Sequence, residues 1–148
     1  MTDSQHDVKV LNALIETTLD SAKGYAEAAK DASDPGFKRL FEQRASERQQ
    51  VVNDLQSEVR VLGGTADTDG SALAAGHRMF LRLRDSLTDG DQGVIVEVER
   101  GEDYIKSKYR EALEDEDLTT TVRNAVVRAY SSVKSGHDQM SALKHSQM

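Results

Sequence analysis

Cysteine is absent from this chain of 148 residues, which removes disulfides, thiolate nucleophiles, zinc fingers and iron–sulfur ligation together. Proline occurs once and aromatic residues make up only 5%. So little of either favours long uninterrupted helices and argues against a β-rich core. No apolar run approaches the roughly 18 residues that suggest a membrane span. Positive charge is not in excess: 19 basic residues face 26 acidic ones, a net charge of −7. That sign is wrong for non-specific nucleic-acid binding and for a helix lying on an anionic membrane. The polar amino end, residues 1–7, carries no basic apolar signal, so a cytoplasmic location is expected. What is present, 37% hydrophobic and 30% charged residues, suits one domain over residues 1–148 with thin apolar stripes on polar elements.

Those stripes are legible. Val8, Leu11, Ile15, Thr18, Ala22, Tyr25 and Ala29 alternate in steps of three and four, which predicts a helix over residues 5–31. Ser33 or Asp34 is placed to cap the next helix, and Pro35 suits its first turn. Phe41, Ala45, Arg48, Val52, Leu55, Val59 and Leu62 continue the rhythm until Gly63 and Gly64 close the second helix. The brief turn between the two makes them antiparallel neighbours. A polar loop, residues 65–70, precedes a shorter predicted helix over 71–87, with Leu73, Gly76, Phe80, Leu83 and Leu87 in step. After a turn at 88–91, with Asp91 as cap, a helix over 92–114 carries Ile95, Val98, Glu102, Ile105, Tyr109 and Ala112. An acidic turn at 115–117 leads to a last helix marked by Val122, Val126, Ala129, Val133, Gly136, Met140 and Leu143. The expected fold is all-α. Two long hairpins and a long connector describe a ferritin-like four-helix bundle, with a short helix in the crossover between the second and third main helices. The competing arrangement is a plain array in which all five helices contribute equally to one core.

Two stripe positions break the apolar pattern. Arg48 sits mid-stripe in the second helix and Glu102 mid-stripe in the helix over 92–114. In the crossover topology these helices run parallel, and the two residues lie at nearly equal depth from the helix starts. Charges inside a core have partners, because desolvating a lone one costs several kcal/mol. A buried Arg48–Glu102 ion pair is therefore expected, with Arg44 adding positive charge to the same region.

The run Leu11-Asn12-Ala13-Leu14-Ile15-Glu16, then Gly24-Tyr25 and Arg44-Ala45-Ser46-Glu47-Arg48, resembles a bacterial family of ferritin-like bundles that carries the label "domain of unknown function". Glu99-Arg100-Gly101-Glu102-Asp103, the most specific block, and Tyr109-Arg110-Glu111-Ala112-Leu113 extend the resemblance, which runs from about Val8 to Leu143. It implies the bundle fold and, through the habits of the superfamily, a stress-associated role. It implies almost no biochemical activity.

Ferritin-like di-metal proteins use a glutamate from each of two helices and Glu-x-x-His from each of the other two, since positions i and i+3 share a helical face. The four histidines here are His6, His77, His137 and His145, preceded at that spacing by Asp3, Ala74, Lys134 and Ala142. No Glu-x-x-His exists, and in the nearest match a lysine stands where the carboxylate belongs. A degenerate oxygen-rich iron or manganese site could draw on Glu16, Glu47, Glu99 and Glu102, with His137 if the last helix turns inward. Arg44 and Arg48 would then put positive charge beside the metal, so the ion-pair reading is preferred and no cofactor is expected.

The remaining signals are bland. His77 reads as a structural histidine. Residues 67–70 read as an ordinary turn, because the glycine comes too soon for an EF-hand. Residues 114–117 read as a solvated hairpin tip. No nucleophile elbow or Gly-rich phosphate loop occurs. The expected function is that of a non-enzymatic interaction or stress-associated bundle, with a carboxylate-rich di-metal oxidoreductase or iron-handling protein as the alternative. Val10, Leu14 and Leu19 widen the apolar face of the first helix, so a homodimer or small homo-oligomer is expected, with neither nucleic acid nor membrane as partner.

Overall fold

The computed structural model describes residues 3–68 and 90–147. They form four helices and, among the described residues, no strand: α1 (Asp3–Asp31), α2 (Pro35–Val61), α3 (Gly90–Leu113) and α4 (Thr120–Gln147). None of the described helices is long and apolar enough to cross a membrane. The helix expected over 71–87, with His77, lies outside the described residues.

The helix ends follow local chemistry. Asp34 caps α2, its carboxylate accepting from the N–H groups of Gly36 and Phe37 with Pro35 in the first turn. At the other end Gly63 takes φ +81°. Its N–H donates to the Arg60 carbonyl, and the Gly64 N–H donates to the Val59 carbonyl. Both bonds are those of a Schellman ending. Asp91 departs from its expected role as a cap. It lies within the first turn of α3, and its carboxylate accepts the backbone N–H groups of Ser33 (2.7 Å) and Asp34 (2.9 Å). A carboxylate one residue inside a helix is free to reach another turn, and here it ties the start of α3 to the α1–α2 connection.

α1 packs against α2 and α3, and α4 packs against the same two, so α2 and α3 face each other across the core. Contacts between ends set the directions. His6 meets Asp115 and Asp7 meets Thr119 at one end; Asp91 meets Ser33 and Asp34 at the other. Arg44 reaches Gln139 while Glu58 reaches Arg128. Neighbouring helices are thus antiparallel, and α2 runs parallel to α3.

The core has two apolar parts. The larger is dominated by Leu, Ile and Val, among them Leu11, Ile15, Val52, Leu55, Ile105 and Val126. Leu14 and Leu19 belong to it, so these residues serve the bundle itself and not a free face. The smaller part gathers Tyr25, Ala28, Ala29, Phe41, Ile95 and Met140, with others. Between the two lies a polar layer.

Candidate functional site

The polar layer is built from all four helices. Arg48 of α2 and Glu102 of α3 point inward because each occupies a stripe position of an otherwise apolar face. Arg48 is 0% exposed and Glu102 1%. The Arg48 Nη2–H donates to Glu102 Oε2 at 2.6 Å, and Nη1–H donates to the Ser21 hydroxyl of α1 at 2.8 Å. The Val133 carbonyl of α4 lies 3.5 Å from Nη2. The Tyr25 ring covers the guanidinium, with the Arg48 Cζ 5.5 Å from its centroid, a distance at which cation–π attraction operates.

Gly136 of α4 makes the room. A Cβ at that position would stand 2.5 Å from Arg48 Nη2 and 3.5 Å from Glu102 Oε2. The guanidinium thus lies against bare backbone, and the Glu102 oxygen that answers its charge sits beside the same glycine. Burial works against that charge, but Glu102 outweighs the penalty and holds Arg48 above its ordinary pKa. Burial, reinforced by Glu102, likewise pushes the Tyr25 phenol well above its usual range. Two buried polar atoms in this layer, Tyr25 OH and Arg48 Nε, have no hydrogen-bond partner among the described residues.

Arg44 stands one turn before Arg48 and does not join the pair. Its guanidinium donates to Glu47 and to Gln139, which closes the α2–α4 surface over the layer. The other carboxylates are dispersed. Glu47 is held by Arg44 on the outside of α2. Glu16 faces Asp67 in the segment after α2; its hydrogen bond with that carboxyl and partial burial raise its pKa. That segment is fixed to α1 and α2 by Asn12, which bonds Thr65 O and Asp67 N, and by Gln56, which bonds Asp67 O.

Of the five residues considered as metal ligands, Glu99 and His137 come together. They do so with Asp103, one turn after Glu99, on the α3–α4 surface, where ligand atoms of the three lie within 4.8 Å of one another. His137 Nε2 is 2.6 Å from Asp103 Oδ1, and its Nδ1 is 3.3 Å from Asp138 Oδ1. A second cluster joins His6, Asp115 and Asp117 at the end of the bundle. Glu16, Glu47 and Glu102 belong to neither cluster. Asp103 was missed because it lies off the apolar stripe. Its signal was the i, i+4 spacing from Glu99, which puts both carboxylates on one side of a helix. Ser21 and Tyr25 carry no such signal, since a small hydroxyl and an aromatic ring are ordinary occupants of a stripe or its edge.

Among the described residues, no cluster of possible metal ligands lies in the polar layer. A di-metal site needs converging carboxylates and imidazoles, and the layer holds one carboxylate already neutralised by a fixed cation. Nor is Arg48 equipped as a base: it remains charged, with its pKa raised by Glu102.

Residues 6–115 match the family described as "Domain of unknown function (DUF2383)", and the chain belongs to that family. The match covers Ser21, Tyr25, Arg48 and Glu102 and stops before α4, so Gly136 and His137 lie outside it. No curated protein matches the chain.

Proposed function

We propose that this protein is a ferritin-like bundle that has kept the shape of a di-metal scaffold without its chemistry, and that it acts through its surfaces as a non-enzymatic, stress-associated interaction protein. The observation that carries this reading is the Arg48–Glu102 pair, fully buried and monodentate, seated against Gly136. A permanent cation at the centre of four helices takes the place that a metal would need. The helix directions support the ferritin-like part. α2 ends at one end of the bundle and Gly90 begins α3 at the other, and the parallel course of these two helices is the one that a crossover topology has. The reading takes the chain as one cytoplasmic domain of bacterial type that forms a homodimer or small homo-oligomer.

The test is elemental analysis of untagged protein purified without chelator from cells supplied with iron and manganese, beside Glu102→Ala and Glu47→Ala. Iron and manganese well below one equivalent in all three preparations is the expected result. Near-stoichiometric iron or manganese that disappears with Glu102→Ala would overturn the reading and restore the oxidoreductase alternative. Light scattering of the same sample tests self-association; a strict monomer at high concentration removes the oligomer from the proposal.

A further inference from the structure

The α3–α4 surface carries an arrangement that the core does not explain. His137 is largely covered, with its side chain 14% exposed, and carboxylates face both of its ring nitrogens: Asp103 at Nε2 and Asp138 at Nδ1. A neutral imidazole has one N–H donor and one bare lone pair. It can satisfy one of these carboxylates but presents a lone pair to the other. Two states resolve the conflict: a second proton on the ring, or a cation between one nitrogen and its carboxylate. The geometry distinguishes the two sides. A further carboxylate, Glu99, joins Asp103 and His137 in one cluster whose ligand atoms lie within 4.8 Å of one another, whereas Asp138 is also held by Lys134 at 3.2 Å. The Asp138 carboxylate is thus already partly answered by a cation.

We infer that Glu99, Asp103 and His137 form a surface site for a single divalent first-row cation, separate from the bundle core, with His137 Nε2 and the two carboxylates as ligands. The ligand types fit this class, since imidazole suits zinc and its neighbours while carboxylates broaden the choice toward manganese. Metal–ligand bonds of roughly 2.0–2.2 Å set ligand atoms about 3–3.5 Å apart, so His137 Nε2 and Asp103 Oδ1, now 2.6 Å apart, must open slightly to admit the ion while the Glu99 carboxylate, within 4.8 Å, rotates toward it. The ligands sit on two packed helices, Glu99 and Asp103 one turn apart on α3 and His137 on α4. Asp138 then takes the outer position that such sites use, accepting the Nδ1 proton and fixing the tautomer that leaves Nε2 free to ligate. Asp103 and His137 also border a groove of about 430 Å³ shared with Lys106 and Arg110. Water can therefore complete the coordination, and the site remains accessible on the folded protein. Two lysines and an arginine in the neighbourhood limit the affinity, which makes this a site for exchangeable metal.

The experiment is calorimetric titration of the untagged full-length protein with Zn²⁺, repeated with Mn²⁺ and accompanied by the side-chain nitrogen NMR spectrum of the histidines. One Zn²⁺ per chain is expected, with weaker Mn²⁺ binding and a large shift of the His137 Nε2 resonance. His137→Gln and Asp103→Asn should each abolish binding at this site. Asp103→Asn is exposed and leaves the helix packing intact, so a folding defect in the histidine variant would not blur the answer. Asp138→Asn should weaken Zn²⁺ roughly 10–100-fold, as loss of an outer-shell partner does. His6→Gln, which dismantles the other histidine–carboxylate cluster, should bind as wild type does. Absence of Zn²⁺ binding by the wild-type chain overturns the inference, as does binding lost with His6→Gln but kept with His137→Gln. Either result leaves the account of the core untouched, whereas binding lost with Glu102→Gln alone would count against the core reading instead.

Discussion

The two apolar halves of the bundle solve the same packing problem with different materials. In the larger half, leucine, isoleucine and valine side chains from all four helices interdigitate around Ile15, Val52, Ile105 and Val126. In the smaller half α1 and the residue after it contribute Ala28, Ala29 and Ala32, and the space is filled by the rings of Tyr25 and Phe41, 6.1 Å apart, and by Met140. Aliphatic burial is strong but tolerant, because many arrangements of such side chains bury similar area. The layer between the halves is not tolerant. Sliding α2, α3 or α4 by one turn would separate Arg48 from Glu102 or press it against a side chain instead of Gly136, and sliding α1 would take Ser21 from it. The larger half thus supplies most of the driving force, and the polar layer selects one register.

The sharpest way to break this comparison is to remove one charge. Arg48→Ala or Glu102→Ala leaves the other charge buried without a partner, and each should cost about 3–5 kcal/mol, read as the shift in a urea midpoint at unchanged slope. The double replacement Arg48→Met with Glu102→Leu should recover most of that loss, since well-packed apolar residues often match a buried pair. If the layer selects the register, the recovered protein should show broadened or duplicated NMR resonances from α2 and α3. Sharp single resonances would show that the apolar halves fix the register by themselves.

Alkaline titration compares the halves next. Tyr109 belongs to the larger half, stacks on Tyr130 and bonds the Thr18 hydroxyl. Tyr25 belongs to the smaller half and covers Arg48. Burial raises Tyr109 to about 12 and raises Tyr25 as well. The folded state holds these protons more tightly than the unfolded chain, whose tyrosines titrate near 10. Their contribution is therefore complete below about pH 10 and is lost as pH rises through their folded-state values, about 12 for Tyr109. For Tyr109 alone the loss approaches roughly 3 kcal/mol, at about 1.4 kcal/mol per pH unit. Tyrosinate absorbance should show the Tyr25 and Tyr109 phenols ionising together with the loss of helical circular dichroism.

Gly136→Ala tests the seat of the guanidinium directly. The added Cβ would meet Nη2 at 2.5 Å, and Arg48 cannot swing away without surrendering Glu102 and Ser21. A cost of about 1–3 kcal/mol is expected, typical of overpacking, although alanine is intrinsically the better helix former. In the Arg48→Met, Glu102→Leu background the same substitution should cost much less. An equal cost in both backgrounds would place the clash elsewhere.

Much of this was legible because stripes record which face turns inward. Arg48 and Glu102 declared themselves as charges on such faces, and parallel helices with similar starting points brought them to one level. Asp34-Pro35 and Gly63-Gly64 announced the ends of α2. The rest depended on rotations and distances that periodicity does not encode. Whether His137 turns toward the core or toward Asp103 depends on a fraction of a turn of α4. Arg44 sits one turn from Arg48, yet its guanidinium finds Glu47 and Gln139, because a long flexible side chain selects partners by proximity. Gly136 read as a stripe member, and only the position of Nη2 shows why a side chain does not fit there. Asp7, fully buried, accepts from both the N–H and the hydroxyl of Thr119, a long-range tie between the start of α1 and the start of α4 without any local pattern.

The smallest effects belong to the helix ends, where the halves differ again. At the end nearer the larger half, Asp7 and Arg123 make bonds that are at least partly buried, the latter to the Leu113 carbonyl. At the other end Asp34 and Asp91 make theirs in water. Asp34→Ala removes the acceptor for the Gly36 and Phe37 N–H groups and should cost about 1 kcal/mol, the usual worth of an N-cap. Asp91→Ala should cost less, because the Ser33 and Asp34 N–H groups that it exposes can bond to water. Amide hydrogen exchange separates local from global loss. Faster exchange confined to the first turn of α2 is expected for Asp34→Ala, with Val52 and Leu55 unchanged relative to global stability. Acceleration throughout the smaller half would mean that this end, and not the polar layer, is where the half is held together.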